Sequence, residues 1–130
     1  MALALPPLAH LSTEELKTEV LAKFFRGLGD PNRLRILRLL LAGEQPVGAI
    51  VQHLRSPQGR VSSHLACLRW CGYVTARKEG RRVFYSMSDS RVRKLLAISE
   101  AIVADNEADL CSCLRIDAKP RRTPWKRTTS

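Results

Sequence analysis

Ser56-Pro57-Gln58-Gly59-Arg60-Val61-Ser62-Ser63-His64-Leu65-Ala66-Cys67-Leu68-Arg69-Trp70-Cys71-Gly72 decides how the rest of the chain is read. Ser56 can cap a helix, and Pro57 suits its first position. Gly72 suits the left-handed residue beyond the last turn. Val61, Leu65 and Leu68 recur at i, i+4, i+7 and make one narrow apolar face. At about 100° per residue, Arg60, Ser63, His64, Cys67 and Cys71 fall on an adjoining, mostly polar face. A helix over 57–71 therefore carries groups suited to nucleic acid together with two thiols four residues apart. It predicts a function that joins DNA binding to thiol chemistry.

The flanks support the first half of that reading. Val47 to Arg55 forms a short helix with Ile50, Val51 and Leu54 apolar, and a brief break separates it from 57–71. That spacing is a helix-turn-helix, whose second helix enters the major groove. Downstream the period switches from 3.6 to 2. Tyr73-Val74-Thr75-Ala76-Arg77-Lys78 and Arg82-Val83-Phe84-Tyr85-Ser86-Met87 read as strands, with Glu79-Gly80 as the hairpin turn. Basic residues crowd the hairpin tip, as in a wing that lies on the DNA backbone or in a minor groove. The DNA contacts expected are Gln58, Arg60, Ser62, Ser63 and His64 from the helix, with Arg77, Lys78, Arg81 and Arg82 from the wing.

Three more helices complete the domain. Ser12-Thr13-Glu14-Glu15 is a capping box, and Leu16, Val20, Phe24 and Leu28 follow as an i, i+4 stripe widened by Leu21 and Phe25, so the first helix spans about 12–28. Asp30 caps and Pro31 opens a second helix running to about Ala42. Leu34, Leu37 and Leu41 share its apolar face, with Ile36 and Leu40 beside them, and Arg33, Arg35 and Arg38 read as a solvated one. Ser88-Asp89-Ser90 caps the last helix, which reaches about Ala108 with Val92, Leu95, Leu96, Ser99, Ile102 and Val103 as its stripe. The first and last helices carry more apolar surface than one small domain covers, which predicts a homodimer formed through them. The fold class expected is mainly α with a β-hairpin wing. Residues 1–11 form an arm, 12–110 the winged helix-turn-helix and dimerisation domain, and 111–130 a Cys-x-Cys segment with a basic tail.

Composition limits the partners. Lys and Arg total 22 against 12 Asp and Glu, a formal net charge of +10. From Arg115 onward there are six basic residues and one acid, so residues 118–130 read as a disordered tail that adds non-specific attraction to DNA. No apolar run approaches the roughly 20 residues that span a bilayer, so no membrane partner is expected. Met1-Ala2-Leu3-Ala4-Leu5 has no basic start and meets Pro6-Pro7 at once, so a secretory signal is not expected and the cytoplasm is the expected compartment. There, four cysteines read as reduced ligands, sensors or core residues rather than disulfides. No Cys, His and Asp share a spacing that suggests catalysis, so an enzyme is not expected.

Asp30-Pro31-x-Arg33-x-x-Ile36-Leu37 in the second helix and Val61-Ser62-x-His64-Leu65-x-x-Leu68 in the fourth, set in this order of elements, resemble the ArsR/SmtB family over about residues 15–105. The resemblance implies a dimeric winged-helix repressor that binds an inverted-repeat operator in double-stranded DNA and loosens its grip when a metal ion binds. One metal site of the family uses Cys-x-Cys in the third helix, but 46–51 holds no cysteine. Another uses Asp, two His and an acid on the last helix. Asp89 matches, but Arg91 and Ile102 stand where the histidines belong. Cys67-Leu68-Arg69-Trp70-Cys71 instead resembles the cadmium/lead-sensing branch, which carries Cys-x-x-x-Cys in the recognition helix. That branch takes a third thiolate from the C-terminal region, where Cys111 and Cys113 are the candidates, one or both.

The residue chemistry agrees with that implication. Cysteines at i and i+4 lie about 5–6 Å apart at Cβ, close enough to chelate one ion. Thiolates select soft species, so the inducer expected is Cd, Pb, Hg or As(III), with no organic cofactor. Arg60, Arg69 and Lys78 are expected to favour the thiolate form. The competing reading is a winged-helix repressor whose cysteines respond to oxidants or sense nothing.

Overall fold

A computed structural model describes residues 12–111. The arm over 1–11, Cys113 and the basic tail lie outside the described residues. The elements are α1 (Thr13–Leu28), α2 (Pro31–Leu40), β1 (Gln45–Pro46), α3 (Val47–Leu54), α4 (Gln58–Trp70), β2 (Val74–Glu79), β3 (Arg82–Met87) and α5 (Ser90–Asp105).

The helix starts follow local chemistry. The Ser12 hydroxyl accepts from the Glu15 N–H at 3.1 Å, and the Ser12 N–H donates to Glu15 Oε2 at 2.7 Å, which completes the capping box of α1. Asp30 Oδ1 accepts from the Asn32 and Arg33 N–H groups at 2.8 and 3.2 Å and caps α2. The buried face of α2 keeps Leu37 and is centred on the Ile36 and Leu40 side of the expected stripe. Ile36, Leu37 and Leu40 are buried, whereas Leu34 is exposed and Leu41 half-buried. The helix packs against α1, α3 and α4, and those neighbours set which side faces inward.

The second helix of the helix-turn-helix, α4, begins one residue later than expected. Pro57 is the N-terminal flank of α4 and supplies no side-chain cap, while Ser56 Oγ donates back to the Leu54 carbonyl at 3.4 Å. The turn is made by Arg55, left-handed at φ 52°. Gly72 adopts φ +87° as its place after the last turn requires, and the Tyr73 N–H then reaches the Leu68 carbonyl at 2.9 Å.

β2 and β3 pair with Glu79 opposite Arg82, so the turn is Gly80-Arg81 and Glu79 belongs to the strand. β1, absent from the sequence reading, adds a two-residue edge with Pro46 opposite Phe84, in the order β1-β3-β2. Two residues show no alternation, and Pro46 lacks the N–H a longer strand would use. The core gathers Ile36, Leu37, Leu40, Ile50, Val61, Leu65, Leu68 and Tyr73, all essentially inaccessible.

The chain divides into two units between Arg93 and Lys94. In the first, Asp89 Oδ1 accepts from the Arg91 N–H at 2.6 Å at the start of α5, and Arg93 Nη1 donates to the Leu41 carbonyl at 3.0 Å. On α1, Val20, Leu21 and Phe25 are about half exposed or more. In the second unit, Ile98, Ile102 and Val103 are exposed. There α5 stops short of Ala108, because the Asn106 side chain donates to the Ile102 carbonyl at 2.8 Å, and a helical turn resumes over 107–111. No helix among the described residues is long and apolar enough to cross a membrane.

Candidate DNA and thiol site

α4 buries Val61, Leu65 and Leu68 and leaves Gln58, Arg60, Ser62 and Ser63 exposed. Ser63 Oγ donates to the Gly59 carbonyl at 3.2 Å and keeps its lone pairs for a donor outside. Lys78, Arg81 and Arg82 are exposed around the hairpin tip, with the Arg82 guanidinium 5.0 Å from the Phe84 ring centre. These seven side chains make a polar and cationic surface of the kind that meets phosphates and base edges.

Two of the nine side chains expected on DNA are placed differently. His64 has only 12% of its side chain exposed. Its Nδ1 accepts from Arg33 Nε at 3.2 Å and lies 3.9 Å from Asp30 Oδ1. Arg33 also donates to the Arg26 carbonyl at 3.4 Å, so it belongs to a junction of α1, α2 and α4 and not to a solvated face. Burial works against the ionised form of Asp30. The N–H groups of Arg33 and Asn32 and the Arg33 charge outweigh it and hold the carboxyl below its ordinary range. Arg77 is engaged as well. It donates to both oxygens of Glu44 at 2.8 and 2.7 Å, bonds Glu79 and stacks 4.6 Å from the Phe84 ring centre. Those carboxylates hold its charge firmly, and the Arg77 bond holds Glu44 below the usual carboxylate range.

The two thiols, Cys67 on α4 and Cys71 at its C-terminal cap, are one helical turn apart and half-buried. Cys71 is turned toward α1. The Cys71 thiol donates a long bond to the Lys23 carbonyl at 4.0 Å, and a Cβ built on Gly27 would stand 3.0 Å from Cys71 Sγ. Burial first, then the Cys67 thiol, push Cys71 up from its ordinary value against the pull of Lys23 and Arg33. For Cys71 the expected depression by Arg60, Arg69 and Lys78 is therefore corrected. The cations that act on Cys71 are Lys23 and Arg33, and they do not prevail.

As a donor set, two adjacent soft sulfurs fit two positions around a thiophilic ion. Cys111 is exposed near the end of the described residues, and Cys113 lies beyond them. Among the described residues no three His, Cys, Asp or Glu side chains are gathered as a metal site. The sequence reading passed over Gly27, Lys23 and Glu44. A glycine inside a strong helical pattern was the one available signal, since it asks for a packing reason.

Residues 30–76 match the family model described as bacterial regulatory protein, arsR family. Over 95 residues the chain is 46% identical to a probable mercury resistance operon repressor of Streptomyces lividans, covering 73% of this chain and 76% of that protein. The chain belongs to the ArsR family. It is also 40% identical over 97 residues to the HTH-type transcriptional regulator CmtR of Mycobacterium tuberculosis, covering 75% and 82% of the two. The solution structure of that organism's cadmium metal-sensor CMTR superimposes with a TM-score of 0.51 at 45% identity, over 58% of this chain and 79% of that one. A homodimeric winged helix-turn-helix domain from Mycobacterium bovis, a possible ArsR-family regulator, superimposes with a TM-score of 0.66 at 31% identity, over 78% and 94%. The fold of this ArsR-family chain is a winged helix-turn-helix. Its family and relatives are transcriptional regulators, not enzymes.

Proposed function

We propose that the protein is a cytoplasmic, dimeric repressor that binds a double-stranded operator and is released by a soft thiophilic ion, one of Cd, Pb, Hg or As(III). The observation that carries this reading is the pair of half-buried thiols, Cys67 and Cys71, one turn apart on the helix that presents Gln58, Arg60, Ser62 and Ser63. Relatives named for mercury resistance and cadmium sensing support the ion class. Cys67 and Cys71 hold two positions of the ion, and Cys111 or Cys113 completes it.

The DNA contacts of this reading are Gln58, Arg60, Ser62 and Ser63 with Lys78, Arg81 and Arg82. His64 and Arg77 act mainly by holding α4 and the wing in place. The exposed apolar residues of α1 and α5 form the subunit interface, and the basic tail adds sequence-independent attraction. Drawing Cys67 and Cys71 toward a C-terminal cysteine shifts the helix that reads DNA. The ion must favour the DNA-incompetent state, and operator DNA must then weaken ion binding by the same factor.

The test is an operator titration against Cd, Pb, Hg, As(III) and Zn, in the wild type and in each Cys→Ser variant. A soft ion should weaken operator binding by about 5–150-fold, the range of a typical coupling of ~1–3 kcal/mol. Cys67→Ser and Cys71→Ser should bind operator normally and lose the response. Of Cys111→Ser and Cys113→Ser, the one that loses it identifies the third ligand. A response that survives loss of both Cys67 and Cys71 refutes the proposal.

A further inference from the structure

α1 is touched from α4 and the start of β2 at three residues of its last two turns. Cys71 Sγ lies against Gly27 and the Lys23 carbonyl. The Tyr73 hydroxyl donates to the Phe24 carbonyl at 2.7 Å, and the two rings lie 4.4 Å apart at their centres. Gly27 is buried in helical conformation, so backbone freedom does not explain a glycine there. Space does. A Cβ at this position would meet Cys71 Sγ at 3.0 Å, the Tyr73 ring at 3.2 Å and Cys71 Cβ at 3.4 Å. The missing side chain is the seat of the sulfur.

We propose that Gly27 is a positioning residue of the thiol site, and that through this seat α1 registers whether Cys71 holds an ion. The inference rests on the reading of Cys67 and Cys71 as ion ligands. When each sulfur bonds an ion such as Cd(II), its S–H bond breaks and the proton leaves to solvent. Cys71 then has no hydrogen to offer the Lys23 carbonyl, and its anionic sulfur faces the negative end of that dipole. The sulfur is drawn toward Cys67 and off Gly27. α1 carries the exposed Val20 on the same side two turns before Gly27, and the exposed Leu21 and Phe25 on sides turned away from it, so a shift at the seat reaches the surface assigned to the second subunit. The recognition helix and the subunit interface therefore respond together.

The experiment uses the full chain, labelled with ¹⁵N and titrated with Cd(II) alone, with the sulfur-to-cadmium charge-transfer band followed in parallel. The amide signals of Lys23, Phe24 and Gly27 should move and saturate with the band, and Cys71→Ser should abolish both changes. Gly27→Ala crowds the seat that the sulfur leaves on binding and should raise Cd(II) affinity, within the roughly 5–150-fold of a typical coupling. Gly29→Ala, at the same helix end but with only ordinary contacts to α1's own carbonyls, should leave band and affinity unchanged.

A wild-type band that Cys71→Ser removes, with motionless α1 signals or an unaltered Cd(II) affinity in Gly27→Ala, overturns this inference and leaves the ion reading standing. Absence of the band, or its survival in Cys71→Ser, overturns the ion reading and this inference with it. If Gly27→Ala does not fold, the wild-type signals decide alone.

Discussion

Arg33 donates from Nε to Nδ1 of His64 across 3.2 Å, a bond between residues 31 apart in the chain that fastens the start of α2 to the middle of the recognition helix. Asp30, which caps α2, stands 3.9 Å from the same imidazole nitrogen. The first prediction follows from that contact. His64→Ala leaves Arg33 without its acceptor and should cost about 1 kcal/mol or somewhat more, the usual cost of an orphaned partner that is only partly buried. Urea unfolding measures it. A residue that only touched DNA would behave in the opposite way, with operator affinity falling and the urea midpoint unmoved. The Asp30 cap adds a pH signature. Its carboxyl is held low in the folded chain, so its contribution is present above the ordinary aspartate range and is lost as pH falls through the lowered value.

Gly72 and Arg55 both have positive φ, 87° and 52°, on the two sides of the recognition helix. Nothing lies within 4 Å of a Cβ added at Gly72, so only backbone strain opposes a side chain there. Gly72→Ala should therefore destabilise by about 1–2 kcal/mol, the left-handed penalty of an L-residue. Arg55→Gly should relieve the same strain, less the extra freedom of glycine in the unfolded chain, for a net gain of a few tenths of a kcal/mol. Thermal unfolding should show midpoints shifted in opposite directions.

The wing separates its arginines by their partners. Arg77 is already neutralised by Glu44 and Glu79, whereas Arg81 and Arg82 point charge at the tip. Each phosphate neutralised contributes about −0.9 to the slope of log affinity against log salt. Arg81→Ala should therefore flatten that slope by about one contact's worth. Arg77→Ala should lower operator affinity by loosening the wing from Glu44, with the slope nearly unchanged. Equal slope changes for the two variants would remove Glu44 and Glu79 as the partners of Arg77 in solution.

Local signals account for what the sequence made legible. The capping box at Ser12 and Glu15, the Asp30-Pro31 start, the positive φ at Gly72 and the period-2 strands all express preferences within a few residues, and they hold to within a residue or two. The errors come from distance in the chain. Which side of α2 is buried depends on α1, α3 and α4 together, so Leu34 is exposed where Ile36 is hidden. The roles of Arg33 and Arg77 depend on His64 and Glu44, 31 and 33 residues away. The candidate site divides in the same way. The i, i+4 spacing of Cys67 and Cys71 was readable because both sit on one helix. The packing of Cys71 against Gly27 and Lys23 was not, because it joins residues more than 40 positions apart.

That packing determines how ion uptake depends on pH. Burial and the Cys67 thiol hold the Cys71 proton more tightly than in a free thiol, so at neutral pH the ion must displace it. The slope of log Cd(II) affinity against pH equals the number of protons released, about two if Cys67 and Cys71 are the ligands and about three if a C-terminal cysteine joins them. Calorimetry in buffers of different ionisation enthalpy measures the same number independently. In the ion-free protein the sign is reversed. A folded-state value raised above the unfolded one means that Cys71 contributes stability below the ordinary thiol range and loses it as pH rises through the raised value. Alkaline urea titrations should show that loss in the wild type and not in Cys71→Ser. A Cd(II) affinity independent of pH would mean that no thiol proton is displaced and that the ligands lie elsewhere.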